Sequence, residues 1–113
     1  MKILRFNESE KRYPSKVSRD EFFERKRSNR MIDFTQSERK KMFDALIEKR
    51  KRRDINWANS PEFIEIYCGR NFFEIVKLDD DWFTIINDER YGVAKYYICD
   101  EFEEVLNFLT DFV

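Results

Sequence analysis

Histidine is absent from the 113 residues. With it go the usual general base, the commonest metal ligand and the side chain that titrates near neutral pH. Histidine-dependent triads and His-containing zinc sites are therefore excluded. Only two glycines occur, Gly69 and Gly92. Phosphate-cradling loops and dinucleotide fingerprints need closely spaced glycines for tight turns and close backbone approach, so those nucleotide enzymes are excluded too. Two cysteines, Cys68 and Cys99, lie far apart in the chain, which suits a reducing compartment better than a disulfide framework. Both are expected to pack as small hydrophobes, Cys68 continuing the strand side of Ile64 and Ile66; a disulfide or a reactive thiol is the alternative. No apolar run approaches the roughly 20 residues that cross a bilayer, and Met1 to Glu8 is too short and too charged for a secretory signal. A cytoplasmic protein with no membrane partner is the expectation.

Charge is abundant, at 40% of residues, and its balance of -1 hides an uneven distribution. Residues 1–53 hold 18 lysines and arginines against 9 acids, a net +9, whereas residues 54–113 hold 4 against 14, a net -10. The cations cluster as Arg25-Lys26-Arg27, Arg39-Lys40-Lys41 and the unbroken Lys49-Arg50-Lys51-Arg52-Arg53. Acidic clusters stand at Asp79-Asp80-Asp81, Asp88-Glu89, Asp100-Glu101 and Glu103-Glu104.

Along the chain, Lys2 to Phe6 permits a short strand and Asn7 to Lys16, with Pro14, reads as a loop. Ser18-Arg19-Asp20-Glu21 has capping-box spacing, and Val17 and Phe22 stand where a hydrophobic staple would, predicting a helix over 19–29. Thr35-Gln36-Ser37-Glu38 opens a second, longer helix reaching about Arg53, with Met42, Phe43, Leu46 and Ile47 as its apolar stripe. From Asp54 the composition turns β-branched and aromatic. Strands are predicted at Glu62–Cys68, Phe72–Leu78, Trp82–Asn87 and Val93–Cys99. The connections at Gly69-Arg70-Asn71 and Asp79-Asp80-Asp81 are too short for parallel crossovers, so the strands form an antiparallel meander. Asp100 is expected to cap a last helix whose Phe102, Val105, Leu106, Phe108, Leu109, Phe112 and Val113 make a broad apolar arc.

The expected fold is α+β: basic N-terminal helices, a four-stranded antiparallel meander and a C-terminal amphipathic helix packed on the sheet. Residues 1–53 form a basic helical segment and 54–113 an acidic ββββα domain, joined in one unit. Phe72 and Phe73, Trp82 and Phe83, and Ile85 and Ile86 make strands apolar on both sides. The face away from the last helix is therefore either covered by the N-terminal helices, the preferred reading, or left as a binding surface.

No residue pattern announces catalysis, a metal or a cofactor. Three adjacent aspartates at 79–81 lack the alternating ligands and glycine of a calcium loop and read as a solvated turn. Glu24-Arg25-Lys26 lies on a helix, and Glu74-Ile75-Val76-Lys77 has one residue too many for a nuclease-like carboxylate and lysine pair. Tyr91, Tyr96, Tyr97, Trp57 and Trp82 could stack on bases, yet they fall in the acidic half, away from the cations, and read as sheet core. Lys49 to Arg53 exceed what the negative end of a helix dipole requires. A solvated helix end, phosphate contact, or contact with an acidic protein surface, including the acidic half of a second copy, are the readings open at this point.

Asp81-Trp82-Phe83, then Lys95-Tyr96-Tyr97-Ile98-Cys99-Asp100-Glu101-Phe102-Glu103 and Leu106, resemble the C-terminal pattern of small proteins of tailed phages. The resemblance covers about a quarter of the chain and implies a viral accessory factor in the host cytoplasm, with no assigned activity. The expected function is non-enzymatic binding, in which Lys49, Arg50, Lys51, Arg52 and Arg53, supported by Arg39, Lys40 and Lys41, engage nucleic acid or an acidic protein surface. Two alternatives stand beside it. One is an inhibitor of a host or defence protein that acts through the acidic and aromatic sheet domain, with Asp79, Asp80, Asp81, Asp88 and Glu89 as a nucleic-acid mimic. The other is a small structural subunit of a larger assembly.

Overall fold

The computed structural model describes residues 11–79, 82–90 and 92–113. Among them, three helices and one antiparallel sheet of seven strands form an α+β fold. In chain order these are β1 (Ser15–Val17), α1 (Arg19–Ser28), β2 (Met31–Ile32), α2 (Gln36–Arg50), β3 (Ile55–Asn59), β4 (Phe63–Cys68), β5 (Asn71–Leu78), β6 (Trp82–Glu89), β7 (Lys95–Cys99) and α3 (Phe102–Phe112). The sheet order is β1-β7-β6-β5-β4-β3, and β2 pairs with the end of β5 beyond the reach of β4.

The meander of four strands is present as β4 to β7, but three strands flank it. Ser15 and Lys16, expected in a loop, join Val17 against Tyr96–Ile98. Such two- and three-residue strands are too short to show alternation and are held by the ladder of their neighbour. β3 escapes a sequence reading for another reason: two of its five residues are asparagines, a type depleted in strands, while Ile55 and Trp57 supply only two apolar points. β6 runs on to Glu89, because Asn71 and Phe72 of β5 continue the ladder opposite Glu89 and Asp88. Val93 lies before β7 and is 84% exposed. The strand expected at Lys2 to Phe6 lies outside the described residues.

Helix starts follow local chemistry. Thr35 Oγ1 accepts from the Glu38 amide (3.1 Å) and Glu38 Oε1 accepts from the Thr35 amide (2.8 Å), a complete capping box. At Ser18 one half forms, the hydroxyl accepting from the Glu21 amide (3.1 Å), while the Glu21 carboxylate faces Arg25 at 3.7 Å. Asp100 does not cap α3. Glu101 is the cap residue without a side-chain bond, and Glu104 reaches back to accept from the Asp100 amide at 3.3 Å. α2 ends at Arg50, and Lys51 to Arg53 continue as a turn whose amides donate to the Glu48 and Lys49 carbonyls.

Alternation along the strands divides the sheet into two faces. Ile64, Ile66 and Cys68 of β4, Phe73 and Ile75 of β5, Phe83 and Ile85 of β6 and Cys99 of β7 share one cluster with Met42 and Leu46 of α2 and Val105, Phe108 and Leu109 of α3. Both helices therefore lie on this inner face. Among the described residues, α1 is the helix that covers the outer face. Phe22, its one buried residue, meets the Tyr96 ring at 5.0 Å, and Lys26 pairs with Glu74 at 3.3 Å. The expectation that the N-terminal helices share the outer face thus holds for the first helix and not for the second, whose stripe joins the last helix. Cys68 packs beside Ile64 and Ile66, and both cysteines are buried and free.

Candidate cationic interface

The eight expected contact cations point in several directions, because one residue turns a helix by about 100°. Arg39 is half-buried and Lys41 exposed, while Lys40 pairs with Asp44 at 2.9 Å, a hydrogen bond that raises its pKa. Lys49 is half-buried beside α3. The Asp111 carboxyl there is held below its ordinary range by the Tyr13 hydroxyl first, then by Lys11 and Lys49. Arg50 lies flat over Trp57, 4.1 Å from the ring centre, and its Nε donates to the Ile55 carbonyl at 3.2 Å. Lys51 pairs with Glu48 at 3.2 Å, and Arg53 Nη1 donates to the Val113 carbonyl at 2.8 Å. Arg52 is exposed and shares a groove with Ala45, Glu48, Lys49 and Thr110. From Lys41 to Lys49 the helix rises about 12 Å, so Arg39 to Lys41 form a separate group.

At the end of α2 the fold adds cations that the linear sequence keeps apart. Arg53 lines a shallow concavity with Asp54, Cys68, Gly69, Arg70, Asn71 and Glu89. The Arg90 amide donates to the Arg70 carbonyl at 2.9 Å, which joins the β4–β5 turn to the residue following β6. Gly69 holds its turn with φ +62°, a conformation that favours glycine. Arg70 and Arg90 are both exposed, and both also make contacts within the protein that hold them in place. Lys49 to Arg53, Arg70 and Arg90 together outnumber the nearby carboxylates Glu48, Asp54, Asp88, Glu89 and Asp111. Neither Arg70 nor Arg90 stood out in the sequence, although a meander places the β4–β5 and β6–β7 connections at the same end of the sheet.

That topology also separates the acidic residues. Asp79 ends β5 at the far end, where its Oδ2 accepts from the Arg30 amide at 3.3 Å and its own amide donates to the Arg30 carbonyl. Asp88 and Glu89 lie at the cationic end, a full β6 length away, about 24 Å. Asp80 and Asp81 lie outside the described residues. The acids at 79 and at 88–89 do not share one surface.

The two oppositely charged segments meet within the chain. Arg12 contacts Glu101 at 2.7 Å and Glu104 at 3.6 Å, Lys11 contacts Asp111 at 3.2 Å, and β1 and β2 pair with strands of the acidic segment. The aromatics considered for base stacking are engaged in the fold as well. Tyr96 packs under Phe22 and Phe23, Tyr97 meets Phe108 at 5.2 Å, Trp57 lies under Arg50 and Trp82 under Arg25 at 5.4 Å; Tyr91 lies outside the described residues. Glu24 is exposed on α1. Glu74 and Lys77, three residues apart on β5, point to opposite faces.

Glu104 is a buried acid beside Cys99. Burial pushes the Cys99 thiol far up, with Glu104 and Asp100 adding to it, so it stays protonated and unreactive. Burial also raises the Glu104 carboxyl, Asp100 and Glu101 adding repulsion against the opposing Asp100 amide and Arg12. The folded state then holds this proton more tightly than the unfolded chain does. Stability is expected to fall as pH rises from the ordinary glutamate value to the raised one. Glu104→Gln is expected to flatten that slope in urea unfolding between about pH 4 and 7; an unchanged slope would assign it to another group.

Among the described residues, no group of three or more cysteine and carboxylate side chains is arranged to hold a metal ion, and no helix is long and apolar enough to cross a membrane. Comparison with protein-family models, with curated proteins and with solved structures finds no match to this chain.

Proposed function

We propose that the protein acts by binding, and that the cationic end of the fold engages a phosphate-bearing partner, nucleic acid. The observation that supports this reading is that Arg53, at the end of the Lys49 to Arg53 run, shares a concavity with Arg70, whose carbonyl is bonded by the Arg90 amide, so that three separate basic stretches adjoin at one end of the sheet. Five of these seven residues are arginines, whose planar guanidinium matches phosphate oxygens in pairs. Arg50 and Arg53 are turned toward Trp57 and the Val113 carbonyl, whereas Lys51, Arg52, Arg70 and Arg90 are exposed beside the contacts they make within the protein and would carry the phosphate contacts with Lys49; Arg39, Lys40 and Lys41 form a second, weaker group. Such contacts recognise charge and not base sequence. As an accessory factor of the kind the C-terminal resemblance implies, the protein would coat or anchor nucleic acid without acting on it chemically.

Fluorescence anisotropy of labelled single-stranded DNA, duplex DNA and RNA, titrated with the full chain across a salt series, tests this. Affinity is expected to fall steeply with salt, at a log–log slope of about -0.9 per phosphate contacted on duplex DNA. The combined variant Arg52→Glu, Arg70→Glu, Arg90→Glu is expected to lose at least about tenfold in affinity and to flatten the slope by about 3. Absence of binding at low salt would discard the reading and leave an acidic protein surface as the partner of the same residues.

A further inference from the structure

We infer that the uncovered half of the outer sheet face is a docking site for a basic amphipathic helix supplied by a partner protein. This does not rest on the nucleic-acid reading: the face adjoins the cationic end at Asp88, and its evidence is the sheet register and the contacts of α1. α1 lies over Tyr96 of β7, Glu74 of β5 and Trp82 of β6. The register continues the same face past it, onto Phe72 and Asp88 in one row with Tyr67 and Asn56, and onto Glu65 and Ala58 in the next, with Phe63 beyond.

Tyr67 is 47% exposed, and Phe63 and Phe72 are half-buried. The Tyr67 and Phe72 rings stand 5.2 Å apart. Tyr67 donates its hydroxyl to Glu65 at 3.1 Å. Glu65 is half-buried and Asp88 exposed, and no lysine or arginine projects from the strand residues of this half among the described residues. The patch is aromatic at its centre and carboxylate-bearing around it.

The molecule itself shows what covers such a surface. α1 supplies the Phe22 and Phe23 rings to the apolar rows, Lys26 to a strand carboxylate and Arg25 to an aromatic face. That helix carries an apolar edge flanked by cations. The second half of the face repeats the chemistry that α1 meets, aromatic rings with carboxylates in the same or the adjacent row, and is continuous with the surface α1 already covers. A helix with two aromatic or aliphatic residues on one edge and lysine or arginine three to four residues on would bury Tyr67 and Phe72 and pair with Glu65 and Asp88.

The test uses the full chain, isotope-labelled for NMR, titrated with a capped synthetic peptide of residues 18–30 as a helix of this chemistry. Saturable amide shifts are expected at Phe63, Glu65, Tyr67, Phe72 and Asp88. They should fall at least about fivefold in the variant Glu65→Lys, Asp88→Lys and vanish in Tyr67→Ser, with amide shifts away from the patch unchanged in both variants as the check that the fold is kept. A peptide with Arg25, Lys26 and Arg27 replaced by glutamate should leave the spectrum unmoved. Shifts centred on Phe22 and Tyr96 would show the peptide displacing α1 instead, and would overturn the proposal. So would equal shifts with the acidic control, or no shifts at all. Broadening of the same five residues on raising protein concentration without peptide would assign the face to a second copy, which also overturns it.

Discussion

Glu38→Ala is expected to destabilise the protein by about 2 kcal/mol, read as a lower midpoint in urea unfolding with an unchanged dependence on denaturant. Lys77 is 4% exposed on the inner face, and its Nζ lies 2.9 and 3.2 Å from the two Glu38 oxygens. The same carboxylate accepts from the Thr35 amide, so one side chain both starts α2 and ties it to β5. Removing it takes away the carboxylate that faces a buried ammonium and opens the capping box. Loss of a cap alone costs about 1 kcal/mol, and taking one carboxylate from a buried ammonium that keeps its other contacts adds to that. Glu38→Gln separates the two, because the amide oxygen can still accept from Thr35 while the charge is gone. It is expected to fall between wild type and alanine, and a loss below about 1 kcal/mol for alanine would show that the other contacts of Lys77 suffice to hold its charge.

Phe22→Ala is expected to cost about 3 kcal/mol, within the range for large-to-small changes at a fully buried aromatic. Phe22 is the one buried residue of α1, with Phe23 and Tyr96 rings 5.1 and 5.0 Å away. Without it the helix keeps the half-buried Phe23 and its ion pairs, which contribute little in water. The loss should be local: in hydrogen exchange, α1 amides are expected to lose protection while β5, β6 and α2 keep theirs. Uniform loss across the sheet would show that α1 folds together with the core.

How much of this was legible in the sequence depends on whether the signal was local. Thr35 to Glu38 was read correctly because a capping box is complete within four residues. β4 to β7 were legible because β-branched and aromatic residues persist over five to eight residues and turns punctuate them. β1 and β2 were not, since a strand of three or two residues exists only through its ladder partner. The stripe Met42, Phe43, Leu46, Ile47 showed that α2 must dock but not where; Met42 and Leu46 enter the core beside α3, while Ile47 remains 49% exposed. The site was legible by half. Lys49 to Arg53 are contiguous and easily seen, whereas Arg70 and Arg90 join them only through the meander. Partition of the five contiguous cations between solvent, Trp57 and a backbone carbonyl required their side chains in place.

The placement of Arg50 bears on how the sheet ends. A terminal strand offers unpaired amides and carbonyls on which another chain can add itself, a route to aggregation. β1 at one border is three residues long, follows Pro14 and carries Lys16, all features that discourage such addition. β3 at the other border has neither charge nor proline, and its Ile55 carbonyl would be open to a neighbour. Arg50 occupies that carbonyl and lies over Trp57. A cation that belongs by sequence to the basic run thus fills one open hydrogen-bonding position on an otherwise unguarded border, leaving one point fewer at which a further strand could add itself.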